Sequence, residues 1–133
     1  MDKVQLQNRT KCFAIRVFKT VEKLPKSKGT EVIAYQLIKA SSSVAAHYRA
    51  VCRAKSRADF INKLKIVEEE ADESLFWLEF ISDLELIHQP PSLPARAGDK
   101  AVLAGKKLLK NLIKEANELV SIFTAALKTS RKS

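Results

Sequence analysis

The chain has 133 residues, of which 46% are hydrophobic and 29% are charged. This is the length of one domain, with enough apolar residues to bury a core, so the composition argues against a disordered chain. Three glycines and four prolines are few for a β-rich protein with many turns. No apolar run approaches the roughly 18 residues of a membrane span, and residues 1–10 are too polar for a signal peptide. A soluble, cytoplasmic protein is expected.

Two cysteines and an uneven charge distribution narrow this further. Cys12 and Cys52 fit neither a disulfide framework nor a zinc spacing, as expected in a reducing cytoplasm. The formal net charge is +9. Residues 1–57 carry +10, residues 58–86 carry −7 and residues 87–133 carry +6. This basic–acidic–basic order predicts an acidic segment neutralised by its neighbours and a basic surplus that faces outward.

The first two helices are predicted at about residues 9–23 and 31–53. Asn8 or Thr10 is a suitable cap for the first helix, and Thr30 for the second. Apolar residues recur at intervals of three or four in both segments, which is the period of a helix with one buried side. The first stripe is Phe13, Val17, Val21 and Leu24. The second is Ile33, Leu37, Ala40, Val44, Tyr48 and Val51, and it continues through the serines 41–43.

The third and fourth helices are predicted at about residues 57–87 and 99–127. Ser56 and Asp59 resemble a capping box at the start of the third. Its stripe is Phe60, Leu64, Val67, Ala71, Leu75 and Leu78, and a second apolar line adds Phe76, Trp77, Phe80 and Leu84. The prolines in residues 88–94 predict the longest linker. The fourth stripe is Val102, Leu109, Leu112, Ala116, Leu119, Phe123 and Leu127. Together these features predict one all-α domain, an antiparallel up-down-up-down four-helix bundle.

No pattern in the chain predicts catalysis, a cofactor, a metal site or a small-molecule substrate. The glycines are isolated, which excludes a phosphate-cradling loop. His47 and Cys52 are five residues apart and should lie on different sides of their helix. Glu85 and His88 have the spacing of a metal ligand pair, but the further carboxylates of such a site are missing. The acidic run 68–73 should pair with cations of helix 2 or of another subunit, or else face water.

Three clusters of cations predict a surface that binds a polyanion. They lie on helix 1, near the turn between helices 2 and 3, and on the outer side of helix 4. Phosphate binding needs several cations together, because the release of counterions drives it. Aromatic stacking of bases is not expected, because most aromatics fall on the core stripes. The predicted nucleic-acid-binding residues are Arg9, Lys11, Arg16, Lys19, Arg49, Arg53, Arg57, Lys107, Lys110 and Lys114.

The segment from Gln36 to Leu78 resembles a bacterial family known as the four helix bundle protein. The resemblance rests on residues 36–39, on Ser43-Val44-Ala45-Ala46-His47-Tyr48-Arg49, on residues 53–64 and on residues 70–78, which end in Trp77-Leu78. Early members are encoded within intervening sequences of large-subunit ribosomal RNA genes, and the family has also been labelled a small-subunit ribosomal protein. The chain departs from the family pattern at Ala45, His47, Ala50 and Lys55, where the family has Gly, Asn, Glu and often an acid.

The resemblance implies a homopentamer without catalytic activity. The chain is also similar to the accessory variability proteins of diversity-generating retroelements, which are basic pentamers that bind nucleic acid and a reverse transcriptase. A pentamer would give the wide apolar side and the acids of helix 3 a partner on the next subunit. The predicted interface residues are Glu69, Glu73, Phe76, Trp77 and Phe80. The sequence thus predicts a non-enzymatic, nucleic-acid-binding oligomer, with an oligomeric scaffold for a protein partner as the alternative.

Overall fold

A computed structural model of the chain describes residues 1–87 and 95–132, with side chains from residue 100 onward in the second range. It contains four α-helices: α1 (Lys3–Val21), α2 (Lys28–Val51), α3 (Arg57–Asp83) and α4 (Ala95–Lys132). The described residues contain no β-strand, which confirms the prediction of an all-α chain. The predicted linker around residues 88–94, including His88, lies outside the described residues.

Helices α1, α2 and α4 begin earlier than the sequence suggested, and in α1 and α2 the reason is that other residues cap them. Asp2 caps α1 in a capping box, accepting from the Gln5 amide at 2.8 Å while the Gln5 side chain accepts from the Asp2 amide. The predicted cap at Asn8 or Thr10 is therefore wrong. The hydroxyl of Thr10 is buried and donates to the carbonyls of residues 6 and 7, which lets it lie inside a helix.

The second and third helices have serine caps. The Ser27 hydroxyl accepts from the Thr30 amide at 3.1 Å, so Ser27 caps α2, and the prediction of Thr30 is corrected. Ser56 caps α3 as predicted, by accepting from the Asp59 amide. The Asp59 carboxylate does not close the capping box on Ser56; it accepts from the Lys55 amide at 3.0 Å instead.

The third helix ends four residues before the predicted position, in a turn that closes its last carbonyls. The Glu85 amide donates to Ser82 and the Leu86 amide reaches back to Ile81, the two bonds of a Schellman motif. Glu85 takes the left-handed position of this motif, with φ of 53°. The chain then folds back so that Ile87 packs against Gly105 of α4, where a Cβ would meet Ile87 Cγ2 at 2.8 Å.

The predicted stripes form one core. Every residue of the α1 and α2 stripes is buried, and so are the α4 stripe residues from Leu109 to Leu127. In α3, Leu64, Val67, Ala71 and Leu78 are buried, whereas Phe60 and Leu75 are only partly covered. Helix α2 packs against α1 and α3, and α4 packs against the same two helices. Each helix therefore buries its apolar side in the core and leaves its outer side exposed.

Candidate nucleic-acid interface and subunit-contact surfaces

Three of the predicted cations form an exposed row on α4, called here the lysine face. Lys107, Lys110 and Lys114 are exposed and follow one another at intervals of three and four, which places them on one side of the helix. The buried stripe on the other side of α4 turns this row outward. From Lys100 to Lys114 the sequence has five lysines and no acid. No ion pair holds the lysine face within the part of the chain that the structure describes.

The helix 1 cluster divides into exposed cations and one enclosed cation. Lys11, Arg16 and Lys19 are exposed. Arg9 instead binds Glu115 of α4 with two hydrogen bonds, from Nε at 2.8 Å and from Nη2 at 2.6 Å, and lies 3.5 Å from Glu118. The hydrogen bond to Glu115 raises the pKa of Arg9 above its ordinary value, although burial opposes this. Arg9 therefore joins α1 to α4 and is not presented outward.

The cations at the end of α2 and the start of α3 lie at one end of the molecule. Arg49, Arg53 and Arg57 are exposed. The Arg57 guanidinium donates to the Ser130 carbonyl, which ties the start of α3 to the end of α4. Arg49 extends toward α1, where it lines the same depression as Lys11. Parts of the two predicted clusters are thus brought together.

That depression, called here the α1–α2 groove, is a feature that the sequence interpretation missed. Its lining combines cationic, apolar and small side chains. The residues are Gln7, Asn8, Lys11, Ala14, Ile15 and Phe18 of α1, with Ile38, Ser42, Ala45, Ala46 and Arg49 of α2. Ile15 and Phe18 are 45% and 50% exposed although they are large and apolar. The available signal was that both fall off the core stripe of α1 and follow Lys11 at helical spacing.

The outer side of α3 carries the predicted interface residues. Glu69, Glu73, Phe76 and Phe80 are all exposed and recur at intervals of four, three and four, so they form one row, called here the α3 ridge. Its first half is acidic and its second half is aromatic. Phe76 is 52% and Phe80 38% exposed, which is unusual for phenylalanine in a core-forming helix.

Trp77 fills the space beside the ridge. Its ring lies 4.9 Å from that of Phe76 and 5.6 Å from that of Phe80, centroid to centroid, in edge-to-face arrangements. The indole Nε1 is buried and has no hydrogen-bond acceptor among the described atoms. The three rings therefore form a rigid aromatic cluster, half of which faces outward.

The acidic run 68–73 is not matched by cations within the described chain. Glu68 accepts a hydrogen bond from Thr124 of α4 at 2.6 Å. Glu70 is partly buried, and burial together with the nearby charge of Glu73 raises the pKa of the Glu70 carboxyl. Lys39 and His47 of α2 oppose this rise, but no described ion pair joins them to the run. Glu69 and Glu73 of the ridge therefore have no ion-pair partner among the described residues.

Beyond these surfaces, the described residues include a small cavity and two polar contacts near the end of α2. A cavity of about 190 Å³ at one end is lined by Leu6, Tyr48, Cys52, Phe60 and Phe123, among others. Burial, and then a hydrogen bond with Cys52, raises the pKa of Tyr48 to about 12. His47 Nδ1 lies 2.9 Å from the Ser43 carbonyl oxygen. The described residues contain no cluster of potential metal ligands. Among them, no helix has both the length and the apolar character to cross a membrane.

Comparison with known proteins places this arrangement in a family. The family model described as 23S rRNA-intervening sequence protein matches residues 2–93, well over half of the chain. The chain belongs to this family. That match confirms the resemblance drawn from Gln36 to Leu78 and extends it over α1.

A solved structure has the same fold as this member of the intervening-sequence family. It is a protein of unknown function from the S23 ribosomal protein family of Bacteroides thetaiotaomicron VPI-5482. The TM-score is 0.70 at 23% identity, over 96% of this chain and 99% of the other. At that identity the likeness establishes the fold alone. No curated protein matches the chain.

Proposed function

We propose that this protein is a non-enzymatic, oligomeric module that binds nucleic acid through phosphate contacts and does not read base edges. The observation that carries the proposal is the lysine face. Three exposed ammonium groups on one side of a helix can each replace a counterion of a phosphate backbone, which is the main source of sequence-independent affinity. Exposed Arg16, Lys19, Arg53 and Arg57 add to the positive field of the molecule.

Arg9 has a different part in this proposal from the one that its sequence context suggested. Its guanidinium already binds Glu115 in a bidentate pair, so contacting a phosphate would require breaking two hydrogen bonds. Arg9 is therefore assigned to holding α1 against α4. The proposed phosphate surface consists of the lysine face and the exposed cations outside the α1–α2 groove.

The oligomer in this proposal is a homopentamer of antiparallel bundles. Support for the antiparallel course comes from the cavity at one end. It is lined by Lys3 and Leu6 from the start of α1, Tyr48 and Val51 from the end of α2, Phe60 and Leu64 from the start of α3, and Ile122 and Phe123 from near the end of α4. Support for assembly comes from the exposed phenylalanines and unmatched acids of the α3 ridge, and from the family resemblance. Two free cysteines suit a cytoplasmic location.

A salt titration tests the proposed function. A labelled DNA duplex and a labelled RNA of unrelated sequences should bind with similar affinity, and the affinity should fall steeply as salt rises. For duplex DNA, each phosphate contact contributes about −0.9 to the slope of log K against log salt. Replacing Lys107, Lys110 and Lys114 by Gln should therefore flatten the slope by about 2 to 3 per bound subunit.

A matched variant separates the lysine face from net charge. Lys23→Gln, Lys26→Gln and Lys28→Gln remove the same charge from exposed positions elsewhere. This variant should keep most of the wild-type slope. The proposal fails if wild-type binding is absent, if it survives high salt unchanged, or if the two triple variants weaken it equally.

An oligomeric scaffold for a protein partner is the second candidate, and the α3 ridge favours it. Aromatic side chains are enriched in protein–protein interfaces, and the ridge exposes two of the three rings of its aromatic cluster. A reverse transcriptase is one candidate partner, by resemblance to the retroelement accessory proteins. Capture of a defined protein that persists after nuclease treatment, and that Phe76→Asp abolishes, would favour this function over nucleic-acid binding.

A further inference from the structure

We propose that the α1–α2 groove of one subunit receives the α3 ridge of a second copy of this chain, in a head-to-tail contact. The inference rests on the oligomer proposed above and identifies the two surfaces that build it. Both surfaces are exposed in the single chain, their charges are opposite, and both carry exposed apolar side chains. The two surfaces match in the size of their apolar side chains, in charge, and in the order of these groups along each helix.

The apolar parts of the two surfaces suit each other in size. The groove presents half-exposed Ile15 and Phe18 beside Ile38, and the ridge presents half-exposed Phe76 and Phe80. Small residues line the rest of the groove, namely Ala14, Ser42, Ala45 and Ala46. Small side chains let another helix approach closely, and burying two phenylalanines is a large favourable contribution to association.

The charges of the two surfaces are opposite. Lys11 and Arg49 stand in the groove, while Glu69 and Glu73 occupy the acidic half of the ridge. Within one chain Glu73 has no described cation partner and instead repels Glu70. Cations supplied by a neighbouring subunit would remove that repulsion. Among the described residues, neither set of charges has an ion-pair partner.

The order of the groups along each helix gives the contact a direction. In α1 the cation at position 11 precedes Phe18 by seven residues, and in α3 each acid precedes its phenylalanine, at 76 or 80, by seven residues. Seven helical residues span about 10 Å, so charged and apolar parts coincide when the docked α3 runs in the same direction as α1. In the reverse direction the acids would meet Phe18 and the phenylalanines would meet Lys11.

This direction is also the one found in a closed ring whose axis runs along the helices. The two surfaces are different parts of the same molecule, so the contact is heterologous and repeats from subunit to subunit. In an antiparallel bundle α1 and α3 run the same way, and rotation about an axis along the helices keeps them parallel. Helix α2 forms one wall of the groove and also packs against α3, so its remaining exposed side would line the inside of the ring. The lysine face of α4 would then point outward from every subunit.

Charge exchange tests the contact. The groove variant carries Lys11→Glu and Arg49→Glu, and the ridge variant carries Glu69→Lys and Glu73→Lys; all four residues are exposed, so the fold should survive. Light scattering should give a multiple of the 14.9 kDa subunit mass for the wild type and about a single subunit for each variant. A chain with all four changes should recover the larger mass, because its acidic groove then faces a basic ridge on the next subunit.

A steric variant and the lysine-face variant complete the design. Ala46 is exposed in the groove, so Ala46→Trp should block docking and give single subunits without unfolding the chain. The contact is refuted if the wild type is a single subunit, if the groove variant keeps the wild-type mass, or if the four-change chain stays dissociated. The lysine-face variant should keep the wild-type mass. If the intact wild-type oligomer does not bind nucleic acid, the proposed function is refuted and this contact still stands.

Discussion

Cations have two different structural roles in this protein. Arg9 forms an ion pair with Glu115, whereas the lysine face of α4 is exposed. Arg9 and Lys107 both stand in basic segments of the sequence. Arg9 nevertheless meets Glu115 and Glu118 across the α1–α4 contact, and its side chain is 24% exposed. Lys107, Lys110 and Lys114 are exposed and follow a segment without acids.

The difference teaches that the density of cations along a sequence does not measure the charge offered to a ligand. Glu115 directly follows Lys114 in the sequence, but one helical step turns it from the outer side of α4 toward α1. A guanidinium can hold a carboxylate with two parallel hydrogen bonds, which an ammonium cannot do. The arginine therefore stabilises the fold, whereas the lysines stay exposed and have no ion pair among the described residues.

The largest effect in this comparison should follow the removal of the enclosed pair. Arg9→Ala leaves the partly buried Glu115 carboxylate without its two charge-assisted hydrogen bonds, so we expect a loss of about 1 to 2 kcal/mol in the free energy of unfolding. Lys110→Ala, an exposed control, should change it by less than about 0.5 kcal/mol. Urea unfolding followed by circular dichroism measures both.

Nucleic-acid binding should respond in the opposite sense. Below the unfolding midpoint, Arg9→Ala should leave the salt slope unchanged, whereas Lys110→Ala should reduce it. A double-mutant cycle with Glu115→Ala isolates the pair, and we expect a coupling energy of about 1 kcal/mol or more. A coupling near zero, or a slope that falls in the arginine variant, would mean that Arg9 is used like the lysines.

Helical periodicity predicted most of this fold because core positions obey it strictly. The stripes of α1, α2 and α4 are buried almost as predicted, and the serines at 41–43 remain helical because the first two donate back to the carbonyls of residues 38 and 39. The ends were less predictable. Near Asp2 and near Ser27 the sequence has other residues that are equally suitable as helix caps. The sequence alone does not distinguish them, because the choice depends on where the neighbouring helices lie.

The candidate surfaces were predictable in part. The lysine face could be read from one helix, because residues three and four apart share a side. The Arg9–Glu115 pair and the α1–α2 groove could not, since each joins residues of different helices. Arg9 and Glu115 are 106 residues apart in the sequence, and no local pattern relates them. Such contacts depend on which sides of the helices face each other.

A substitution in the turn after α3, close to the lysine face, should have a smaller effect. Glu85 adopts a left-handed conformation that favours glycine, and it lines a hollow with Lys106 and Lys110. Glu85→Gly should therefore stabilise the protein by about 0.5 to 1 kcal/mol. It should also raise nucleic-acid affinity slightly, by removing a carboxylate beside the lysines.

A control at the same position separates these two effects. Glu85→Gln removes the charge but keeps a side chain that disfavours the left-handed conformation. It should raise affinity as much as the glycine variant while leaving stability near that of the wild type. Thermal unfolding and the salt titration distinguish the contributions, and equal stability of the two variants would contradict the role assigned to the backbone.

The smallest expected effect concerns the exposed counterpart of the Arg9 pair. Lys63 donates to Asp59 at 2.7 Å, and this bond, followed by the one from the Lys55 amide, lowers the pKa of the Asp59 carboxyl below its ordinary value of 3.8. A lowered carboxyl pKa contributes stability above the unfolded value, and that contribution is lost as the pH falls through the folded value. Asp59→Asn should therefore be slightly less stable than the wild type at pH 7, and the difference should shrink below about pH 4. Both side chains of this pair are 31% exposed, more than those of the Arg9–Glu115 pair, so solvent screens it more strongly. We therefore expect 0.5 M salt also to shrink the difference at pH 7, whereas the Arg9–Glu115 coupling should largely persist. Equal salt sensitivity of the two pairs would contradict the distinction between enclosed and exposed charges.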